Sequence, residues 1–240
     1  MISVIPVGGL PEIEPGADLA ALIAERTQLE PGDVVVVAQK AVSKAEGRVV
    51  RLADVEPTDR ARELAADADP RHVQVILDET ARIVRSRPPL VIAETRHGFV
   101  CASAGVDASN APEPETLVLL PLDPDASAAR LRDRLHELTG CGVGVIVSDS
   151  FGRPFRQGTT DVAIGTAGIE ALRDLRGTSD AAGYELRSTQ IAVADEIAAA
   201  AELVRGKSEG LPVAIVRGLD VAGDGTARDL VMPPERDLFR

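Results

Sequence analysis

The sequence predicts an α/β protein of mixed α+β character. Short apolar runs typical of buried strands alternate along the chain with Ala-, Leu- and Glu-containing segments typical of helices. Two features interrupt that alternation: a predicted hairpin over residues 90–102 and a polar, glycine-containing segment over residues 149–162, which we predict to be irregular. A plain doubly wound parallel sheet, which needs regular β-α alternation, is therefore not assured.

Each element is assigned from its hydrophobic period and from the turn residues that bound it. The clearest case is the run of four valines over residues 34–37, which follows a Pro-Gly-Asp turn and predicts a fully buried strand. The predicted strands are 2–7, 34–37, 90–93, 98–102, 117–120, 143–147 and 211–216. The predicted helices are 19–23, 58–66, 73–84, 125–138 and 188–204.

Length and composition favour one ordinary globular unit. The chain has 240 residues, of which 45% are hydrophobic, enough for a substantial core. Neither a repeat nor a low-complexity linker divides it. We therefore expect a single domain over residues 1–240, with room for two subdomains.

Charge and aromatic content argue against nucleic acid as a partner. The formal net charge is -12, which repels a phosphate backbone, and aromatic residues make up 2%, too few for a base-stacking platform. No apolar run reaches the about 18 residues of a membrane-spanning helix, and the first residues lack the basic region of a signal peptide. We expect a cytoplasmic protein without a membrane partner.

Several familiar catalytic patterns are absent or misplaced. The two cysteines do not have zinc-ligand spacing, and Cys101, within an apolar stretch, is predicted to be a small core residue. A Walker-like segment over residues 201–208 lies where a helix ends and precedes a strand, the reverse of the order that a phosphate-binding loop requires. Gly206 is better explained as the residue that ends the helix.

Two aspartates follow apolar segments that we predict to be buried. Asp149 comes directly after the strand 145–147, a common position for a metal ligand, although a surface loop has the same composition. Asp107 follows another apolar segment, and a local Asx-turn explains it best when it is considered alone. Together, Asp107 and Asp149 are a plausible pair of ligands for a hard cation.

Lysine is scarce. Of 26 basic residues only Lys40, Lys44 and Lys207 are lysines, and the first two follow the predicted strand 34–37. A lysine is a compact point charge suited to a phosphate. Phosphate neutralisation and a solvated strand end are equally good interpretations of Lys40 and Lys44 at this stage.

Taken in order, five segments resemble the coenzyme F420:L-glutamate ligase family. The resemblance spans about residues 4–220, and although each motif is weak, the five in sequence are specific. The segments are Gly9–Ile13, Val37–Arg48, Ala104–Asn110, Ser148–Pro154 and Gln157–Gly165.

The resemblance implies a reaction. In this family GTP phosphorylates a carboxylate on the phospholactyl side chain of the coenzyme F420 precursor, and the amine of L-glutamate then attacks the acyl phosphate, sometimes followed by a further γ-linked glutamate. It also implies an unusual mixed-sheet ligase fold and an intertwined homodimer. Some relatives carry a C-terminal flavin-binding domain, which we do not expect here.

The resemblance also assigns residues to GTP. One nucleotide-binding loop and three separate contacts are carried over by position, and Lys44 is assigned to catalysis as well. These residues are Leu10, Pro11, Glu12, Ile13, Gln39, Lys44 and Asn110.

Two divalent cations, Mg²⁺ or Mn²⁺, are implied per site, with K⁺ as a further ion. Asp107 and Asp149 resemble the ligands of the first divalent cation, and Asp149 is the second residue that we assign to catalysis. Ser150, where relatives commonly have threonine, and Glu209 resemble ligands of the second cation.

Two other functions stay open. A divalent-metal phosphohydrolase would use the same aspartates with water as the nucleophile. A regulatory module would bind GTP without turnover, although such a module has no need for two aspartates at strand ends together with the hydroxyl of Ser150.

Overall fold

The computed structural model describes residues 1–238. The strands of these residues are β1 (Ser3–Val7), β2 (Val34–Ala38), β3 (Val49–Arg51), β4 (Thr80–Arg87), β5 (Leu90–Thr95), β6 (Val100–Ala102), β7 (Thr116–Val118), β8 (Gly144–Gly152), β9 (Thr159–Ala167), β10 (Arg173–Asp174), β11 (Gln190–Ile191) and β12 (Val213–Arg217). The α-helices are α1 (Leu19–Ala24), α2 (Gln39–Ala45), α3 (Asp59–Ala65), α4 (Pro70–Asp78), α5 (Pro124–Thr139) and α6 (Val193–Arg205).

The main sheet has five strands in the order β1-β12-β2-β8-β9. Only β2 and β8 run parallel within it, whereas the other three pairs are antiparallel. The predicted α/β class with mixed α+β character is therefore confirmed, and a plain doubly wound sheet is excluded for the part of the chain that the structure describes.

Both faces of the main sheet are covered. Side chains of a strand alternate between its two faces, so Val35 and Val37 pack with α1 and α5 on one face, while Val34 and Val36 pack with α6 on the other. We call these the α5 face and the α6 face. No helix within residues 1–238 has the length and apolar character needed to span a bilayer.

Residues 49–118 build smaller sheets with their own cores. β3 pairs with β7, and β4, β5 and β6 form a three-stranded antiparallel sheet that packs against α4. A further small cluster lies between α3 and α4. These smaller sheets are relevant to function because they hold the loop after residue 106 next to α2.

Local sequence signals explain most helix boundaries. Thr58 caps α3 by accepting from the N–H of Ala61, and Asp123 caps α5 in the same way through Ala126. Gly140 ends α5 in the left-handed conformation. Gly206 ends α6 with a positive φ, as the sequence predicts.

The predicted helix 73–84 is wrong in its second half. α4 ends at Asp78, and Thr80–Arg87 forms β4, which pairs antiparallel with β5. The apolar spacing continues past Asp78, but the strand gains a hydrogen-bonded neighbour that a local pattern cannot reveal. The predicted helix 188–204 is also too long at its start, because Gln190–Ile191 is the strand β11.

The prediction that residues 149–162 are irregular is wrong as well. β8 continues to Gly152 and β9 begins at Thr159, so that the polar segment is largely an antiparallel hairpin. Its polar composition misleads because the outer part of this hairpin has no further strand beside it. The sequence also gives no sign of the helix α2, which begins at the residue that follows β2.

Gly165 allows β9 to lie against the first turn of α5. A Cβ atom at this glycine would lie 2.2 Å from the carbonyl oxygen of Pro124 and 2.4 Å from its carbonyl carbon, and a backbone contact cannot rotate away. We predict that Gly165→Ala lowers the free energy of unfolding by about 1–3 kcal/mol, the usual cost of overpacking. Chemical denaturation followed by circular dichroism measures it.

The matched control is Gly142→Ala, because a Cβ at Gly142 meets nothing within 4 Å. This variant should stay within about 0.5 kcal/mol of wild type. Equal stability of both variants would contradict the proposed close approach.

Candidate active site

Asp149 lies where the parallel pairing of β2 with β8 stops, although β8 itself continues beyond it. We call this end of the parallel pairing the edge of the main sheet. The parallel register of β2 and β8 ends with Ala38 opposite Ser148, and the next residue of β2 begins α2. β8 runs on to Gly152, paired only with β9. Asp149 is therefore the first residue beyond the parallel pairing, at the level where β2 gives way to α2.

Helix α2 presents two lysines to this edge. Lys40 and Lys44 are four residues apart, so they lie on the same helical face. The Nζ atom of Lys40 lies 2.6 Å from Asp107 Oδ2 and 2.5 Å from the hydroxyl oxygen of Ser109, while Lys44 forms an ion pair with Glu12. The interpretation as a solvated strand end is wrong for Lys44, because its side chain is only 11% exposed.

The loop that carries Asp107 and Asn110 touches two other parts of the site. Asp107 makes the predicted Asx-turn, accepting from the N–H of Ser109 at 2.7 Å, and it also binds Lys40. Burial raises the pKa of Asp107, but the hydrogen bonds from Lys40 and Ser109 outweigh it, so the pKa lies below its usual value. The side-chain amide of Asn110 donates to the carbonyl oxygen of Lys207 at 3.4 Å.

Asp149 differs electrostatically from Asp107. Burial raises its pKa to about 7, the N–H of Ser150 opposes that shift, and the negative charges of Asp161 and Asp107 increase it, while Lys40 lowers it. Within residues 1–238, no lysine, arginine or histidine forms an ion pair with Asp149. Lys40, whose charge acts on this carboxyl group, is itself paired with Asp107.

Asp149 and Ser150 point to opposite faces of the sheet, since neighbouring side chains in a strand alternate. On the α6 face, the hydroxyl of Ser150 donates to Asp161 Oδ1 at 2.6 Å. On the α5 face, the negative charge of Asp149 raises the pKa of Cys101 on β6. The four metal ligands assigned by resemblance therefore do not all lie on one face of the sheet. Asp149 lies on the α5 face and Ser150 on the α6 face, and Glu209 is exposed in the turn that follows α6.

Gln39 is buried at the start of α2. Its side-chain oxygen accepts from the hydroxyl of Ser43 at 2.9 Å, whereas its Nε2 atom is buried without a hydrogen-bond partner among the described residues. Leu10–Ile13 lies nearby, joined to α2 by the pair between Glu12 and Lys44. Ile13 is buried, and Pro11 and Glu12 are exposed.

Each of the three lysines contacts a residue assigned to the site. Lys40 binds Asp107, Lys44 binds Glu12, and the backbone of Lys207 accepts from Asn110. The scarcity of lysine was the signal in the sequence, but it did not separate Lys40 from the others, and our assignment by resemblance omits Lys40.

Two further residues were missed. Asp161 and Arg205 form a buried ion pair on the α6 face, with side chains 6% and 4% exposed. Asp161 lies within a segment that carries the resemblance, but nothing local indicates that an arginine 44 residues later is its partner.

The site is rich in acids but is not a complete protein metal site. Among residues 1–238, no three histidine, cysteine or acidic side chains are grouped to hold a metal ion by themselves. Mg²⁺ typically takes one or two carboxylates and leaves its other positions to water and substrate phosphates. Two carboxylates and two lysines at one edge can therefore hold a cation and a phosphorylated substrate together.

Known proteins resemble this chain over nearly its whole length. The family model described as F420-0:gamma-glutamyl ligase matches residues 9–218. The chain belongs to this family. It is 48% identical to a coenzyme F420:L-glutamate ligase of Methanopyrus kandleri, over 98% of the chain and 100% of that relative. Ligases of the same name from Archaeoglobus fulgidus and Methanothermobacter thermautotrophicus are 46% and 42% identical over 100% of the chain and 96% and 99% of the relatives.

The F420-0:gamma-glutamyl ligase family model ends close to the last strand of the main sheet. The matched range contains the two lysines of α2, both aspartates and Ser150, and it also contains Asp161 and Arg205. The residues that converge in space are therefore all within the part of the chain that defines the family.

The reactivity of the Cys101 thiol tests how deeply the surroundings of Asp149 are buried. Burial raises the pKa of its thiol to about 12, and the negative charge of Asp149 adds to the shift. At pH 8 a fraction on the order of 10⁻⁴ is then thiolate, the form that reacts. We predict that an aromatic disulfide reagent modifies Cys141 in the folded protein, while Cys101 reacts only after unfolding, as followed by absorbance.

The variant Cys141→Ser is the control, and it should show no fast reaction while folded. Two fast thiols per wild-type chain would contradict the burial of Cys101.

Proposed function

We propose that this protein is a GTP-dependent carboxylate-amine ligase that joins L-glutamate to the phospholactyl side chain of the coenzyme F420 precursor through an acyl phosphate. Membership of the family and the names of its relatives support the ligase reaction. The observation that supports the nucleotide-dependent part is that Lys40 binds Asp107 and acts electrostatically on Asp149. Lys44 lies one helical turn further along the same face of α2, where it pairs with Glu12.

The proposed GTP site lies along α2. Lys40 and Lys44 supply positive charge for phosphate oxygens, and Leu10–Ile13 borders the same helix through the contact of Glu12 with Lys44. The free Nε2 donor of Gln39 suits an acceptor on the nucleotide, because a buried donor without a partner costs stability that a ligand would restore. Asn110 completes the proposed set from the opposite loop.

The residues present fit a divalent cation. Asp149 is a buried carboxylate without an ion-pair partner among the described residues, and the acids Asp107 and Asp161 near it raise its pKa further. Such a group is costly without a cation. Asp107 and Asp149 would hold the first Mg²⁺ or Mn²⁺, and Ser150 with Glu209 would contribute to the second. When bound, these ions supply the charge neutralisation on which phosphoryl transfer depends.

The protein's own part in the reaction is positioning and charge. In the first step the substrate carboxylate oxygen bonds to the γ-phosphorus of GTP, the bond to the β-γ bridging oxygen breaks, and GDP leaves. In the second step the glutamate amine attacks the acyl carbon, phosphate leaves with the bonding electrons, and the amine loses a proton to solvent. Lys40 and Lys44 are placed to balance the phosphate charge in both steps.

Three further properties belong to the proposal. A second, γ-linked glutamate can follow the first, K⁺ assists nucleotide binding, and the active form is an intertwined homodimer. Light scattering of the purified protein tests the dimer, and activity in sodium or potassium salts of equal ionic strength tests the cation.

Mass spectrometry of a single reaction tests the function. The mixture holds the glutamate-free precursor, L-glutamate, GTP and Mn²⁺, with one component omitted in each control. A product heavier by one or more glutamyl units that requires GTP supports the ligase. GTP loss without such a product would instead indicate a phosphohydrolase, and GTP binding without turnover a regulatory module.

In the same assay we predict that Asp149→Asn lowers kcat by about 10³-fold, the scale of losing one charge-stabilising group in an active site. The matched control Asp67→Asn changes an exposed aspartate and should retain wild-type activity. Near-normal turnover by Asp149→Asn would defeat the assignment of this residue.

Gln39→Leu separates a structural role from a binding role. The substitution removes the buried Nε2 donor, which favours stability, but it also removes the oxygen that accepts from Ser43, which opposes it. We therefore predict a nearly unchanged Tm together with a KM for GTP about 10-fold higher. Calorimetry and steady-state kinetics measure the two effects. A lower Tm with an unchanged KM would show that Gln39 serves the fold alone.

A further inference from the structure

A buried polar cluster lies behind β8 on the α6 face. Asp161 on β9 accepts hydrogen bonds from Ser150 through Oδ1 at 2.6 Å and from Ser148 through Oδ2 at 2.9 Å. Arg205, at the end of α6, pairs with Oδ2 of Asp161 and donates to the Ser148 hydroxyl at 2.8 Å. We call these four residues the Asp161 cluster.

The two oxygens of Asp161 have different partners. Oδ2 is shared by Arg205 and Ser148, both buried, whereas Oδ1 receives the hydrogen of Ser150 alone among the contacts of the described side chains. Ser150 is only half-buried. Because its single hydrogen is held by a charged acceptor, its lone pairs are directed away from Asp161 and stay free to accept a ligand.

The hairpin and α6 are tied together at the same point. The N–H of Asp161 donates to the carboxylate of Glu202, one turn before Arg205 on α6, at 3.0 Å. The turn that carries Glu209 follows directly after α6. The contacts of Asp161 therefore hold both Ser150 and the end of α6, after which the turn with Glu209 begins.

The buried ion pair of the Asp161 cluster is a weak contribution to the stability of the fold. Burial lowers the pKa of Arg205, and its Nε atom is buried without a hydrogen-bond partner among the described residues. Replacing such a buried ion pair by apolar residues is often neutral or stabilising. A pair with an unsatisfied donor, kept beside an active site, points to a role in positioning.

We propose that Asp161, held in place by its buried ion pair with Arg205, is a positioning residue that orients the hydroxyl oxygen of Ser150 toward the second divalent cation. This inference rests on the proposed function, since Ser150 has a cation to face only if that function is right. Asp161 itself accepts three side-chain hydrogen bonds and does not need to touch the substrate. Partners behind a metal ligand of this kind typically change metal affinity by about 10–100-fold.

The test measures Mn²⁺ binding directly, by the electron paramagnetic resonance signal of free Mn²⁺, with GTP present and without the other substrates. The main variant carries Asp161→Leu together with Arg205→Met, which removes both buried charges and leaves neither unpaired. It is compared with Ser150→Ala, with the combination of all three changes and with Ser150→Thr, which keeps the hydroxyl. Ser148→Ala is the matched control, because it removes a hydrogen bond to Oδ2 and leaves Oδ1 with Ser150.

We expect the main variant and Ser150→Ala each to weaken the second Mn²⁺ by about 10-fold or more, with no further loss in the combination. Ser148→Ala should stay within about 2-fold, and Ser150→Thr should bind like wild type. Unchanged Mn²⁺ affinity in the main variant, whatever its Tm, would overturn the proposal, and additive losses in the combination would show that Asp161 does not act through Ser150.

Asp161→Asn serves if the main variant does not fold. It keeps the shape but replaces a charged acceptor with a neutral one, and about 3-fold weaker binding of the second Mn²⁺ is expected. Full Mn²⁺ affinity in this variant would overturn the proposal. If wild type itself binds no Mn²⁺ with GTP and forms no glutamyl product, the proposed function fails; if wild type does both and the variants bind as it does, only the present inference fails.

Discussion

The parallel pairing of β2 with β8 is the constraint on which the site depends. Its register ends at Ala38 and Ser148, so one chain turns away into α2 while the other continues. That divergence places α2 next to Asp149 and brings Lys40 close enough for its charge to act on this carboxyl group. The other pairings of the main sheet are antiparallel and close the core, but they leave no comparable edge.

The smaller sheets hold the active-site loop in place through the backbone of Asp107. The backbone of Asp107 pairs with Val118 of β7 through two hydrogen bonds, at 3.1 and 2.9 Å, and β7 pairs in turn with β3, which follows α2 closely along the chain. The loop that contains Asp107 is thereby fixed against the helix that contains Lys40. Residues 49–118 have separate cores, yet their position relative to the main sheet determines whether the carboxylates and the lysines can meet.

The arrangement of charges at the site is one that a bound cation would stabilise. Asp107 pairs with Lys40 and Asp161 pairs with Arg205, whereas Asp149, near both acids, forms no ion pair among the described residues. Buried donors without partners on Gln39 and Arg205 add to this cost. Proteins depart from local consistency mainly where function requires it, and Asp149, Gln39 and Arg205 are departures of this kind beside the proposed site.

The mixed fold class, the buried valine strand, the helix end at Gly206 and the exclusion of a phosphate-binding loop at residues 201–208 could all be predicted from the sequence. They follow from local rules of period, capping and order along the chain. The sequence also indicated Asp107, Asp149 and the scarce lysines. The folded structure was needed to see that β4 is a strand, that Ser150 faces away from Asp149, and that Arg205 pairs with Asp161. The reason is that such contacts join residues far apart in sequence, 67 positions for Lys40 and Asp107, so that no local pattern records them.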